Sequence, residues 1–444
     1  MTIPALYEHQ KKDIQFILSN PIVANLSDPG TGKTRIALEV IRIRRNEGRT
    51  LVICPKSIMQ PAWGNDIEKF TPELTYNIAY STNRVEAFTT PSDIVITNHD
   101  AVTALVKNTH LLNNFVQLFI DESTAYKNES QRTKAIFKLT KFFKYRYIMT
   151  GTPYTNSITD VWRQAFILDQ GQRLGKSFYR FREHVCTSHT LGNGITIWKD
   201  KEGIEPVIYQ LLSDISIRRT LEECVDIPAN TTQIVPFTPN NKHIALYNEL
   251  EATSILQLKN GTVTAFNAAV LRNKLLQLAS GAVYTSNTDY TIIDKARYEL
   301  IADLALARPQ TIIAFLWRHQ RDLIFPLLPN AAIIDGTVPI HERNKIVQRY
   351  QQGDLHHLLI HPQSGAHGLT LTAGHCTIWA SPTYSSESFL QLNRRIYRAG
   401  QTKKTETLLI EAKNTVEELV YQKLSGKLEK ATLLLNLFNL ANKE

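Results

Sequence analysis

Residues 27–34, Ser27-Asp28-Pro29-Gly30-Thr31-Gly32-Lys33-Thr34, constrain the fold of this 444-residue chain more than any other stretch. They follow an apolar run at 21–26 and precede a segment of helical character at 35–44. Strand, glycine-rich turn and helix start are what a nucleotide phosphate needs: Gly30 and Gly32 let backbone N–H groups approach phosphate oxygens, and the helix N-terminus adds partial positive charge. Asp28 and Thr31 complete the loop, Lys33 is placed to reach the β- and γ-phosphates, and Thr34 to hold Mg²⁺. Ser27 stands where the usual pattern has its first glycine, while the Gly-Lys-Thr end is intact.

The chain is too long for a single hydrophobic core, so two domains are expected, with room for an inserted element. Lys and Arg number 50 against 41 Asp and Glu, a net charge of +9 that favours a polyanionic partner. Cys54, Cys186, Cys224 and Cys376 stand singly, without metal-ligand spacing, and read as thiols of a reducing compartment with no structural zinc. Met1-Thr2-Ile3-Pro4 lacks a signal-peptide layout, and no stretch approaches the ~18 apolar residues of a membrane span. A cytoplasmic chain without membrane contact is expected.

In chain order, residues 5–19 have the apolar spacing of an amphipathic helix. Its Gln10 either bonds an adenine edge or faces solvent. Residues 50–54 and 93–97 are short β-branched runs of buried parallel strands. They open into Pro55-Lys56 and Asn98-His99-Asp100, at the sheet edge where ligands bind. Polar groups there, with Thr97, can hold a sugar-phosphate chain. Residues 117–120 run into Asp121-Glu122-Ser123-Thr124. In such an acidic pair Asp121 can hold Mg²⁺ and Glu122 can deprotonate a water attacking the γ-phosphate. A fourth strand at 147–150 ends in Gly151-Thr152-Pro153, whose flanking hydroxyls could sense the γ-phosphate.

The order of Gln10, the Gly-Lys-Thr loop, Pro55-Lys56, Thr97-Asn98-His99, Asp121-Glu122-Ser123-Thr124 with Lys127-Asn128, and Thr150-Gly151-Thr152-Pro153 with Asn156 resembles the first motor domain of helicase superfamily two, in its Swi/Snf-like branch. The resemblance implies an α/β fold of two RecA-like, doubly wound parallel-sheet lobes in tandem, sharing one ATP. It implies a first lobe at 1–165, a small insertion at 166–230 and a second lobe at 231–444.

Within the insertion, Phe178-Tyr179-Arg180-Phe181-Arg182 mixes aromatic and basic residues that either touch nucleic acid or fill a helical core. Gly192-Asn193-Gly194 marks a hairpin between 186–191 and 195–199, which is a structural turn or a device for parting strands. Arg218-Arg219-Thr220 resembles the family's link into the second lobe, and lobe-to-lobe salt bridges would explain its arginines as well. Strand–loop–helix alternation then repeats without a second phosphate loop, and one or two amphipathic helices at 415–442 are expected to pack on the second lobe.

Residues 391–401 match the family's Gln-x-x-x-Arg-x-x-Arg-x-Gly-Gln. Arg395 and Arg398, three apart on an expected helix face, can reach one anion. The resemblance makes Arg398 an arginine finger, Arg395 a phosphate or lobe-closing partner, and Gln391 a nucleotide contact. It places Trp317, Arg318, Gly336, Gly368, Thr370 and Thr152 with Pro55, Lys56, Thr97, Asn98 and His99 along DNA. Arg394, Thr370 and Thr124 depart from the family's usual residues, and the last bears on how hydrolysis couples to DNA movement.

The expectation is therefore a DNA-dependent ATPase using ATP and Mg²⁺ and tracking sequence-nonspecifically along branched or forked DNA, in replication, recombination or repair. A double-strand translocase that leaves strands paired, and a nucleotide-gated DNA clamp, are the alternatives.

Overall fold

The computed structural model describes residues 3–192, 194–258, 261–265, 267–286, 288–365 and 369–441. It divides into two compact units, one of residues 1–226 with 427–444, the other of residues 227–426.

The first unit is built on a parallel sheet. Its strands are β1 (Ile22–Asn25), β2 (Arg49–Cys54), β3 (Tyr76–Ala79), β4 (Ile94–Asn98), β5 (Phe115–Asp121), β6 (Tyr145–Met149) and the short β9 (Ser216–Ile217). They lie in the order β3-β4-β2-β5-β6-β1-β9. Between β6 and β9 the chain forms an antiparallel ribbon of β7 (Cys186–Thr190) and β8 (Thr196–Asp200).

The central strands are apolar throughout because both sheet faces are covered. Successive side chains alternate between two cores. Leu51, Ile53, Leu118 and Ile120 enter one, with residues of the helices Gln131–Leu139 and Asp160–Asp169. Val52, Cys54 and Phe119 enter the other, with Ile36, Val40 and Ile41 of the helix Lys33–Arg44.

Because the strands run parallel, their C-terminal ends share one edge. Register keeps those ends level: Asn25 of β1 and Asp121 of β5 both pair with Met149 of β6, and Cys54 of β2 pairs with Asn98 of β4. The phosphate loop, the acidic pair and Gly151-Thr152-Pro153 all emerge there.

Two placements differ from expectation. Residues 166–226 belong to the first unit, where β9 extends its sheet beside β1. The C-terminal helix, Val416–Ala441, was expected to pack on the second lobe. Its early residues do: Tyr421 Oη donates to the Ile410 carbonyl at 3.2 Å. Its later residues Ala431, Leu434, Leu435 and Phe438 instead fill the first unit's core. Their i, i+3, i+4, i+7 spacing gives that segment an apolar stripe of its own.

The second unit holds β10 (Asn230–Phe237), the ribbon β11 (Ile255–Leu258) and β12 (Gly261–Thr264), and the ribbon β13 (Ala282–Tyr284) and β14 (Tyr290–Ile292). It continues with β15 (Thr311–Ala314), β16 (Ala331–Ile334), β17 (His357–Ile360), β18 (Cys376–Trp379) and β19 (Thr405–Ala412). Its parallel sheet runs β10-β19-β18-β15-β17-β16. The buried Arg297 ties this unit together, donating to Glu417 Oε2 at 2.9 Å and to the carbonyls of Ala380 at 2.7 Å and Ile410 at 3.0 Å.

Candidate active site

β1 ends at Asn25, and the chain turns through Ser27–Gly32 before Lys33 opens a helix. Gly30 and Gly32 take φ of 90° and 85°, a region that L side chains rarely adopt, so the turn depends on them. Ser27 needs no such freedom, and its side chain has work: its hydroxyl accepts the Arg219 N–H at 3.1 Å. This is why the usual glycine is dispensable there.

Lys33 Nζ donates to the Ser27 carbonyl at 2.6 Å and the Asp28 carbonyl at 2.9 Å, so its ammonium lies across the loop. Asp121 and Glu122 are its charged neighbours from the end of β5. Enclosure lowers the pKa of Lys33 and raises that of Asp121, and the attraction between them opposes both shifts. Trp63 Nε1 donates to Asp121 Oδ2 at 3.1 Å and fixes that carboxylate. Glu122 takes left-handed backbone angles, φ 55° and ψ 57°, unusual for a non-glycine residue and typical of strained functional positions.

Gln10 is buried, and its Oε1 accepts the Tyr7 N–H at 3.0 Å. Its amide also closes over the loop: a Cβ on Gly32 would meet Gln10 Nε2 at 2.3 Å. Gln10 therefore belongs to the loop and not to the solvent face of its helix. His9 Nε2 lies 3.1 Å from the Thr31 carbonyl.

Sequence reasoning missed the clamp behind the loop. Arg218 pairs with Asp28 at 2.7 Å and donates to the Leu26 carbonyl at 2.8 Å. Arg219 pairs with Asp13 at 2.9 Å. The Leu221 N–H donates to Asp28 Oδ2 at 3.1 Å. The arginine pair before Thr220 thus serves the phosphate loop of its own unit, and Asp28 faces Arg218.

The donor set suits a nucleotide with a hard cation. Backbone N–H groups and Lys33 match phosphate oxygens, while the Asp121 carboxylate and the half-buried Thr34 hydroxyl at the helix start are oxygen ligands of the kind Mg²⁺ takes.

The expected DNA contacts divide. Lys56 is exposed beyond β2, Pro55 is half-buried beside it, and Asn98 is half-buried with Nδ2 3.4 Å from Asp100 Oδ2. Thr97 is a correction: it is fully buried and donates to the Ala79 carbonyl at 2.9 Å, so its side chain supports the sheet. His99 is likewise buried, its Nδ1 3.1 Å from Tyr126 Oη, joining the end of β4 to the loop after the acidic pair. Thr152 is buried, its N–H donating to Thr150 Oγ1 at 3.1 Å.

In the second unit, the helix Ser386–Asn393 ends before Arg395 and Arg398, which lie in the turns that follow, not on a helix face. They still converge: Arg395 Nη1 and Arg398 Nη1 donate to the Leu369 carbonyl at 3.2 and 3.0 Å. Gln391 is buried, and its carbonyl accepts Arg395 Nε at 3.0 Å. Trp317 and Arg318 follow β15. The Trp317 ring stacks on His319 at 5.7 Å, and the Arg318 N–H donates to Tyr284 Oη at 2.9 Å. Gly336 follows β16 in open space, and Thr370 is exposed. Gly368 lies outside the described residues.

A parallel-sheet lobe with a phosphate loop, an acidic pair and a Thr-Gly-Thr-Pro strand end on one edge, followed by a second parallel-sheet lobe, defines a two-lobe ATPase motor. The chain matches the SNF2-related domain family over residues 10–281 and the helicase conserved C-terminal domain over residues 296–400. It belongs to the SNF2-related family.

Protein p41 of Acyrthosiphon pisum secondary endosymbiont phage 1 is 26% identical over 429 residues, spanning 91% of this chain and 92% of that one. The mouse chromodomain-helicase-DNA-binding protein 1-like is 21% identical over 440 residues, 91% of this chain but only 47% of its own length. The Sulfolobus solfataricus SWI2/SNF2 ATPase core in complex with dsDNA is similar at 20% identity and a TM-score of 0.45, covering 99% of this chain and 96% of that one.

Proposed function

We propose that this protein is an ATP-driven motor that moves along DNA, sequence-nonspecifically, and acts on forked or branched DNA in replication, recombination or repair within the cytoplasm. The observation that carries the reading is the convergence of Lys33 with Asp121 and Glu122 at one strand edge, the loop being locked in place by Arg218.

In this reading Lys33 and the loop amides hold the β- and γ-phosphates, and Thr34 and Asp121 hold Mg²⁺. The cation, when bound, neutralises charge on the phosphate oxygens. Glu122 accepts a proton from the water whose oxygen bonds to the γ-phosphorus, as the bond to the bridging oxygen of ADP breaks. Arg398, with Arg395, balances the charge of the transferring phosphoryl, an effect worth roughly 10³–10⁵ in rate for arginine fingers.

Contacts to the DNA backbone from residues such as Lys56 and Arg318 make binding tolerant of sequence and sensitive to salt. The net charge of +9 supports a polyanionic track, as do the family membership and the DNA-binding designation of the mouse relative.

Phosphate release measured in parallel on single-stranded, duplex, forked and four-way DNA tests the reading. The expected result is stimulation of at least tenfold, greatest on a branched substrate. Lys33→Ala loses nucleotide binding, while Glu122→Gln and Arg398→Ala bind ATP without turnover. Turnover indifferent to every DNA, or retained in Glu122→Gln, sinks the motor. Strand displacement on forks separates unwinding from travel along intact duplex.

A further inference from the structure

The ribbon β7–β8 meets the core of its unit only near its base, through the buried Cys186 and the partly buried Trp198. It pairs from Cys186↔Asp200 to Thr190↔Thr196, and residues 187–190 are all exposed. A lone two-stranded ribbon is marginal in water, so this one depends on how its base is held.

Arg182 lies over the Trp198 ring at 4.0 Å on one side of the base, and on the side of the strand edge the link is one carboxylate. Asp200 Oδ2 accepts Tyr154 Oη at 2.6 Å and the Ile158 N–H at 3.1 Å, and Asp200 Oδ1 accepts Ser157 Oγ at 2.6 Å. These three donors sit on the loop directly after Gly151-Thr152-Pro153. The same loop is wired to the acidic pair by two short paths. Ser123 Oγ donates to Gln164 Oε1 at 2.8 Å, and Gln164 Nε2 donates to the Pro153 carbonyl at 2.7 Å. Lys127 Nζ donates to Thr155 Oγ1 at 3.0 Å. The loop around Pro153 is thus joined to the ribbon through a charge-assisted, part-buried junction.

The exposed faces indicate the ligand. From Cys186 to Lys199 the sequence contains no carboxylate. It presents the hydroxyls of Thr187, Ser188, Thr190 and Thr196 with the cationic Lys199 and with His189, the groups that meet phosphate and sugar. Leu191, Ile195 and Ile197 are 40%, 57% and 42% exposed near the tip, where an apolar contact with a base or sugar would cover them.

We infer that the β7–β8 ribbon is an arm that touches the nucleic-acid backbone, and that Asp200 is the positioning residue that sets the arm from the nucleotide edge. The second half of this inference rests on the ATPase reading above.

The test is amide hydrogen exchange over residues 187–199, with a 30-base-pair duplex, a non-hydrolysable ATP analogue, or both, alongside direct titration of the analogue. In the parent chain the duplex slows exchange several-fold, and the analogue changes that protection at least threefold. In Asp200→Asn the duplex still protects, but the analogue's effect disappears. The paired variant Tyr154→Phe with Ser157→Ala keeps the carboxylate and its Ile158 bond and removes the two hydroxyl donors, so it repeats the loss by cutting the junction from the loop side. Lys199→Glu weakens duplex binding three- to tenfold and lowers its salt slope.

Bound duplex that leaves 187–199 unprotected overturns the nucleic-acid assignment and gives the face to a protein partner. An analogue effect that survives in both junction variants overturns Asp200 as the connection. Failure of the analogue to bind the parent chain is a failure of the ATPase reading, and removes the coupling while leaving the duplex result to judge the arm.

Discussion

Gly151 abuts Pro29: a Cβ at position 151 would lie 2.7 Å from Pro29 Cδ. The turn after β6 and the phosphate loop after β1 therefore touch backbone to ring, with no room for a methyl group. Neither loop can move towards the other without displacing it, which gives the Thr-Gly-Thr-Pro turn a mechanical reason to respond to the phosphate loop.

Gly151→Ala should push the two loops apart. Real Cβ atoms essentially never approach that closely, and the proline ring cannot rotate away as a flexible side chain would. Steady-state kinetics should show a higher KM for ATP and a kcat at least tenfold lower, with the thermal midpoint lowered by a few degrees. Unchanged kinetics would mean that the loops separate at no cost.

Arg218→Ala should damage the phosphate loop from behind. Asp28 and Arg218 are both nearly inaccessible and 2.7 Å apart, so truncation leaves a buried carboxylate without its guanidinium. The cost of breaking such a pair is about 3–5 kcal/mol. A weaker affinity for nucleotide should accompany it. Adding Asp28→Asn to Arg218→Met should recover much of the stability, because no lone charge is then left, and chemical denaturation of the single and double variants measures this.

Much of the fold could be read from residue order, and the reason is local. Runs such as Thr-Leu-Val-Ile-Cys and Asp-Ile-Val-Ile-Thr can only be strands covered on both faces, and β2 and β4 lie where those runs are. β3, Tyr-Asn-Ile-Ala, escaped notice because an edge strand needs only partial burial and its polar residues break the pattern. The loop residues Gly30, Gly32 and Lys33 were legible because backbone conformation and charge are properties of a short segment. Their supports were not. Nothing local joins Trp63 to Asp121, Arg218 to Asp28 or Gly151 to Pro29; these are products of topology. The turns holding Arg395 and Arg398 show the same limit, since the amphipathic spacing runs on past Asn393 while the helix does not.

Arg297→Lys should be poorly tolerated despite the retained charge. The guanidinium reaches Glu417 and the carbonyls of Ala380 and Ile410, on different elements, with a planar fork that an ammonium cannot reproduce. With both side chains of the ion pair fully buried, a loss of about 3 kcal/mol is expected from urea unfolding of the second unit. A change under about 0.5 kcal/mol, the range of ordinary surface substitutions, would show that the network is redundant.

His319 should make the second unit acid-sensitive. Burial holds its pKa down to about 3, with Arg297 adding repulsion, and Tyr298 Oη lies 3.0 Å from its Nδ1. Above about pH 6.5, the ordinary value, the ring is neutral in both folded and unfolded chains and contributes no pH dependence. As pH falls from there towards 3, only the unfolded chain takes up the proton, so stability declines by up to about 1.4 kcal/mol per pH unit. His319→Gln should flatten that slope between pH 6 and 4, although it lowers stability at neutral pH. An unchanged slope would assign the acid sensitivity to other groups.

The last helix carries an implication for biosynthesis. Leu434, Leu435 and Phe438 fill the interior of the unit that begins at the N-terminus, with the Phe438 ring 5.3 Å from Tyr209. As the ribosome releases this chain, the first-made lobe keeps an uncovered apolar gap until residues 431–438 arrive, after the whole second unit has been made. Whatever shields that gap in the interval, a chaperone or a transient internal contact, governs how much of the newly made protein reaches the native state.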